Sequence, residues 1–126
     1  MVYGVNVITG VTEIAIGAGA SNTTTIIAAQ GGVATSYAAG LARAYGGGGF
    51  DDWFLPSKNE LNQMYLKKGA INTTAVVNGG SDFSDNLYWS STEKDNGNLW
   101  VQYFASGDQH GYHWMLTYSV RAVRAF

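Results

Sequence analysis

At 126 residues the chain has room for one sizeable core and not for two, which excludes a two-domain enzyme. Seven basic against nine acidic side chains leave a net charge of −2. There is thus no broad cationic surface for a phosphate backbone, and nucleic acid is not an expected partner. The absence of cysteine removes disulfides, thiolate zinc sites, iron–sulfur clusters and cysteine nucleophiles.

Seventeen glycines, one proline and an apolar fraction of 46% describe folded, loop-rich material. No stretch approaches the ~20 apolar residues that span a bilayer, so membrane insertion is not expected. Met1 to Asn6 show neither the basic start nor the apolar run of a signal peptide, so any work outside a cell calls for another route of export.

Val5 with Val7 and Ile14 with Ile16 alternate with polar residues around Thr9-Gly10, which predicts one or two strands. Ser21-Asn22-Thr23-Thr24-Thr25 offers side-chain acceptors to open a helical turn through Ile26 to Ala29, ended by Gly31-Gly32. Val33, Tyr37, Leu41 and Tyr45 recur every four positions on an alanine-rich background, predicting an amphipathic helix with Arg43 pointing outward. Gly46 to Gly49 stop it. They form no phosphate loop, because neither a preceding strand nor a following Gly-Lys-Ser/Thr helix start is present.

Ser57 and Glu60 have capping-box spacing, with Pro56 and Leu61 as the hydrophobic staple, so a second helix starts at Lys58 and runs about three turns to Lys67-Lys68-Gly69. Leu61, Met64 and Tyr65 supply its buried face. Ala70 to Asn86 is polar and is expected as a long surface loop. Strands are predicted over Leu87 to Thr92, Leu99 to Ala105, His113 to Thr117 and Ser119 to Phe126, a small antiparallel sheet. Arg121 and Arg124 lie on opposite sides of the last strand, so at least one is expected to meet a carboxylate or a carbonyl. Trp53, Leu55 and Leu61 are expected in the core, and Asp51-Asp52 is expected to cap a turn.

Three segments now stand in order: Asp52-Trp53-Phe54-Leu55-Pro56-Ser57-Lys58-Asn59-Glu60-Leu61, then Tyr88-Trp89-Ser90-Ser91-Thr92, then Val120-Arg121-Ala122-Val123-Arg124-Ala125-Phe126. Together they resemble the Lcl C-terminal-like family of bacterial and phage domains, which share the C-type-lectin fold near its formylglycine-generating-enzyme branch. The resemblance covers residues 33 to 126, with residues 1 to 32 as N-terminal strands of the same single domain. It implies an α+β, C-type-lectin-like fold: two helices packed on small antiparallel sheets, long surface loops, and chain ends meeting in one sheet.

In such relatives the stretch between the Trp-Ser-Ser strand and the terminal Val-Arg strand faces the ligand, and some are targets of diversity-generating retroelements. Here that stretch is Glu93 to Tyr118. It holds the short polar residues Asp95, Asn96, Asn98, Gln102, Asp108 and Gln109. It also holds His110 and His113, with the rings Trp100, Tyr103, Tyr112 and Trp114. Flat amphipathic rings mixed with small hydrogen-bonding groups are the composition of a paratope. The alternative for Trp100, Tyr103 and Trp114 is a place in the core of two strands, and for Trp100 it is the plainer one. Tyr112 and Trp114, near a turn beside Gly111, are expected to be exposed.

Other chemistry has less support. Asp82, Asp85, Glu93, Asp95, Asn96 and Asn98 could supply oxygens to calcium, but the Glu-Pro-Asn and Trp-Asn-Asp motifs of calcium-dependent lectins are absent, so no cofactor or metal is expected. His110 and His113 lack a third ligand, and Ser90-Ser91 lack the strained turn of a serine hydrolase. Trp89 with Ser90-Ser91 is expected to be structural. The oxidase activity of the related branch requires cysteines, so no enzyme activity is expected. Asn22 and Asn72 fit the glycosylation pattern without a secretory signal to use it.

The expected function is a non-catalytic ligand-recognition domain on a virion surface, a phage or viral tail-fibre or receptor-binding tip that holds a host surface protein or glycan. A homotrimer is expected if it caps a fibre. The alternatives are a bacterial surface or secreted adhesin and a structural virion decoration or assembly domain. A binding module is expected to present Tyr112, His110, Asp108 and Asn96 on one exposed face. A structural module would bury them between copies, and an enzyme would show a cleft with a displaced pKa.

Overall fold

A computed structural model describes residues 9–31 and 34–125. Its α+β architecture comprises α1 (Gly19–Gln30), α2 (Ala38–Ala44), α3 (Lys58–Leu66), α4 (Lys68–Val77), β1 (Leu87–Asp95), β2 (Asn98–Tyr103) and β3 (Gln109–His113), with short 3₁₀ turns at Ala34–Ser36 and Gly47–Gly49. The strands form an antiparallel meander in the order β1-β2-β3.

The second predicted helix begins where its cap requires. Ser57 is the N-cap of α3, its hydroxyl accepting from the Glu60 N–H at 3.3 Å while the Glu60 carboxylate accepts from the Ser57 N–H at 2.8 Å. The same carboxylate also accepts from Gly17 N–H at 3.1 Å and Gly19 N–H at 3.0 Å, so one side chain closes the N-termini of two helices. Gly19 must lack a side chain here, since a Cβ would sit 2.2 Å from Glu60 Oε1.

That distant cap corrects the expected start of α1. The helix opens at Gly19, before Ser21, and Thr23, Thr24 and Thr25 lie inside it with their hydroxyls donating to the carbonyls four residues back. Asn22 is buried, its amide donating to Glu13 O at 2.9 Å. Of the expected N-terminal strands, Val5 and Val7 lie outside the described residues, while Ile14 and Ile16 are exposed in an irregular segment. Ile14 O accepts from Asn59 N–H, so α3 holds that segment by its backbone.

Val33 also lies outside the described residues, and regular helix in this region is confined to α2. Tyr37, Ala38, Ala39 and Ala42 are buried, the alanines letting backbone approach the core closely. Arg43 does not point outward: its Nε donates to Trp53 O at 2.9 Å and a terminal nitrogen donates to Thr24 Oγ1 at 3.0 Å. The glycine run passes beneath Tyr45, where a Cβ on Gly47 would lie 2.4 Å from the ring, and Trp53, half-buried, donates to Gly47 O.

The expected loop from Ala70 to Asn86 is helical for its first part. Ile71 packs against buried Leu61, Phe83, Tyr88 and Phe104, and this tertiary contact overrides the weak propensity of Asn72-Thr73-Thr74. Asn72 accepts from Phe83 N–H at 2.8 Å, pinning the remaining loop to α4. Among the described residues four α-helices therefore stand where the resemblance implied two.

In the sheet, Trp89 opposes Val101 and Glu93 opposes Leu99, so Ser90, Ser91 and Thr92 bulge opposite Trp100. The bulge is closed by Ser90 Oγ donating to Trp100 O at 2.7 Å. It lets β1 reach three neighbours: Ser91 N–H donates to Pro56 O, Thr92 Oγ1 accepts from Lys58 N–H, and Glu93 accepts from Thr9 N–H. Trp89, wholly buried, anchors the first core cluster with Ile26, Leu55, Leu99 and Val101.

The third strand lies earlier than expected, because the chain returns at Gly107 (φ +86°) and the segment after His113 turns. Residues 119–125 run extended without forming a strand, bridging Tyr88 through Ser119 and Phe54 through Val123. Phe126 lies outside the described residues. Both arginines find partners: Arg124 makes a two-pronged pair with Asp52 at 2.6 and 3.2 Å, and Arg121 donates to Ser81 O at 3.1 Å. Asp52 thus serves the C-terminal segment, not a turn. Among the described residues no helix is long and apolar enough to cross a membrane.

Replacing Glu60 by Ala uncaps both α1 and α3 and is expected to cost about 2 kcal/mol, roughly one for each helix, read as a lower urea midpoint with unchanged slope. Hydrogen bonds from Arg124 hold the Asp52 carboxyl below its usual range, against a smaller opposing effect of desolvation. The pair's contribution is therefore complete above the unfolded carboxyl value of about 3.9 and fades as pH falls through the folded value. Asp52→Asn is expected to be less stable than the parent at neutral pH, the two unfolding curves converging in acid.

Candidate ligand-binding tip

Residues directly opposite in an antiparallel sheet share a face. On one face Leu99 and Val101 enter the first core, with Tyr112 and His110 opposite them on β3. On the other face Asn98, Trp100 and Gln102 lie opposite His113, Gly111 and Gln109. The sheet thus divides the expected ligand-facing residues into groups.

Trp100 belongs to neither core cluster. It is half-buried, with Lys58 Nζ 4.1 Å and Lys94 Nζ 5.5 Å from its ring centre. Gly111 makes room for this arrangement: a Cβ there would lie 2.4 Å from Lys94 Cδ. Gln102 is corrected outright, since it is wholly buried and its amide donates to Asn62 Oδ1 at 2.8 Å and Gly107 O at 3.0 Å. It fixes α3 and the β2–β3 turn and is out of reach of a surface ligand.

Asn96 and Asp108 occupy opposite ends of β2, a strand roughly 17 Å long, so the four residues expected on one face do not share it. His110 is exposed between them. Tyr112 is half-buried and joins a chain of rings, with Tyr118 at 5.5 Å and Trp89 at 5.0 Å beyond. Burial, with a smaller effect of Tyr112, pushes the Tyr118 hydroxyl pKa up. Trp114 also packs against the first core, so neither it nor Tyr112 is fully exposed. At the Asp108 end, Tyr103 is exposed, Asp108 accepts from Ser106 Oγ and Gln109 reaches Lys58 O.

The other end of the sheet is the more developed. There the structure brings together Asp95, Asn96, Asn98, His113 and Trp114, with Trp100 behind them. Asn98 donates to Asp95 at 2.6 Å, and Trp114 N–H donates to Gly97 O at 3.0 Å, tying the β1–β2 turn to the end of β3. Leu116 N–H donates to His113 O, and Met115 N–H to His113 Nδ1, which shapes a tight turn. Met115 and Leu116 project from it, 62% and 43% exposed. Sequence reasoning gave neither a role, because both fall within the strand expected over His113 to Thr117. The local signal is the turn after His113, visible only once β3 is placed.

Among the described residues no three acidic or histidine side chains converge as metal ligands. Glu93 is occupied by Thr9 and Gly10, and Asp95 by Asn98 and Lys94.

The fold and this tip define a small α+β scaffold domain in which the buried side chains of Ser57, Thr23 and Thr92 bond its own backbone and two turns are presented at one end of a sheet. Residues 16–124 match the Lcl C-terminal domain family, and the chain belongs to that family. The match begins earlier than residue 33 and takes in α1, as its shared cap with α3 requires. No curated protein matches the chain. Membership suggests a recognition role.

Gly111→Ala is expected to push Lys94 away from Trp100. The Lys94 methylene resonances should lose their ring-current shift, with a stability change below about 1 kcal/mol because the displaced side chain is exposed and flexible.

Proposed function

We propose that the chain is a non-catalytic recognition domain that holds a host surface protein or glycan through the tip formed by the β1–β2 turn and the turn after β3. The observation that carries this reading is the exposure of Met115 and Leu116 beside Trp114 on a hydrogen-bonded turn. Adjacent exposed apolar side chains around an aromatic anchor, rimmed by Asp95, Asn96 and His113, have the composition of a binding hot spot. Their apolar character favours a protein surface over a sugar.

The non-catalytic part of the proposal is supported by the commitments of the buried polar residues. Ser57, Ser90, Thr92 and Glu93 all bond to backbone groups. The reading needs no cofactor. A position at the tip of a virion fibre belongs to the same proposal and draws on the resemblance of the three motifs, and a domain capping such a fibre would stand in three copies. The adhesin alternative would use the same tip.

Labelled protein, made trimeric through an appended coiled coil, is titrated on intact cells of candidate hosts. Saturable adsorption is expected, at least about tenfold weaker (~1.4 kcal/mol or more) for Met115→Asp or Leu116→Asp and unchanged for Tyr103→Ala at the far end of the sheet. Protease treatment of the cells should abolish binding where the receptor is a protein, and periodate where it is a glycan. Equal loss from tip and far-end variants would overturn the assignment.

A further inference from the structure

A second surface lies away from the tip, along the extended segment that follows Tyr118. There a cleft of about 960 Å³ runs between α2 and the α4–β1 loop, walled by Tyr45, Trp53, Met64, Ile71 and Phe83 and floored by residues 120–124. A second cleft of about 570 Å³ lies beside Thr117 to Arg121, and the two share Leu41, Val120 and Arg121. Their volumes fall within the range of small-ligand sites.

The floor has unused hydrogen-bonding capacity. Ser119 spends its N–H and C=O on Leu87 and Trp89, and Val123 spends both of its own on Phe54. In an extended chain successive residues point these groups to opposite edges. Among the described residues no partner meets the N–H or C=O of Val120 or Ala122. Their side chains pack on the first core, so the edge is held in place. Unpaired backbone beside apolar walls is what an extended chain can complete.

Charge narrows the class of occupant. Arg124 is neutralised by Asp52, whereas Arg121 lies 4.4 Å over the Phe83 ring and donates to a carbonyl, with no carboxylate in ion-pair distance among the described residues. A cation at the junction of the two clefts, beside an open strand edge, is complementary to a carboxylate carried on an extended backbone. We propose that this cleft binds an extended acidic peptide, its backbone pairing with Val120 and Ala122 and its carboxylate meeting Arg121.

The probe is a fluorescein-labelled octapeptide of alternating threonine and valine with a central glutamate, titrated by anisotropy against the full chain. Saturable binding is expected. It should weaken at least about tenfold when the peptide glutamate becomes glutamine, and again when alternate peptide amides are N-methylated. Arg121→Gln should reproduce the first loss, and amide exchange at Val120 and Ala122 should slow when peptide is bound. Met115→Asp, which removes the tip, should leave peptide binding unchanged. The two peptide changes require no altered protein, so the test stands even if Arg121→Gln folds poorly. Absence of saturable binding, or indifference to either peptide change, overturns the proposal.

Discussion

The Glu60 carboxylate holds α1 and α3 in one arrangement. Its three acceptor bonds, to Ser57, Gly19 and Gly17, place the positive ends of α1 and α3 on a single negative charge. Charge-assisted bonds of this kind are stronger than neutral ones, and here they link positions about forty residues apart in sequence. Ser57 adds a donated bond to Ala15 O at 2.8 Å, so the segment leading into α1 is fixed at both its carbonyls and its amides. Once α1 is set, Thr23 Oγ1 accepts from the Leu55 N–H at 3.0 Å, and the strand-like stretch through Phe54 is locked beside the C-terminal segment.

The same device recurs because so much of the backbone lies outside helices and strands. Buried peptide groups must be paired, and an irregular chain must pair them with side chains. Thr92 serves Glu13 and Lys58, Asn22 serves Glu13, and Glu93 serves Thr9 and Gly10. Two of the three segments that carry the family resemblance, Asp52 to Leu61 and Tyr88 to Thr92, are thus a structural apparatus: caps, a bulge and a tryptophan anchor. The side chains this apparatus leaves outside carry no such structural task, which is why membership fixes the scaffold more firmly than any ligand.

The sequence was legible wherever the determining partner was local. The capping box gave α3 its first residue, and four-residue spacing located α2. Leu55 and Leu61 were read as core and Trp89 as structural, and all three are buried, whereas Trp53, also read as core, is half-buried. Where the partner was distant, the reading failed. The start of α1 depends on a carboxylate forty residues away, and α4 depends on the Phe83–Phe104 cluster beneath it. β3 is Gln-His-Gly-Tyr-His, with no run of strand formers, and its existence rests on pairing with β2. Of the residues expected to face a ligand, those near the β1–β2 turn were brought together. Gln102 was misread because a glutamine looks polar in sequence whether or not an asparagine on α3 waits to receive it.

The tip follows from this division of labour. Its turn is closed by bonds from Trp114 to Gly97 and from Leu116 and Met115 to His113, so the backbone that presents Met115 and Leu116 is already ordered. A preorganised turn avoids much of the ordering entropy that weakens loop-mediated recognition. At the same time Asp95, Asn96, Met115 and Leu116 are exposed and belong to neither core cluster. Exchange of such side chains changes stability little, whereas Leu99 and Val101, one strand face away, are buried. The exposed side chains of Asn96, Met115 and Leu116 can therefore be exchanged without changing how the scaffold folds, because the backbone beneath them is held by other residues.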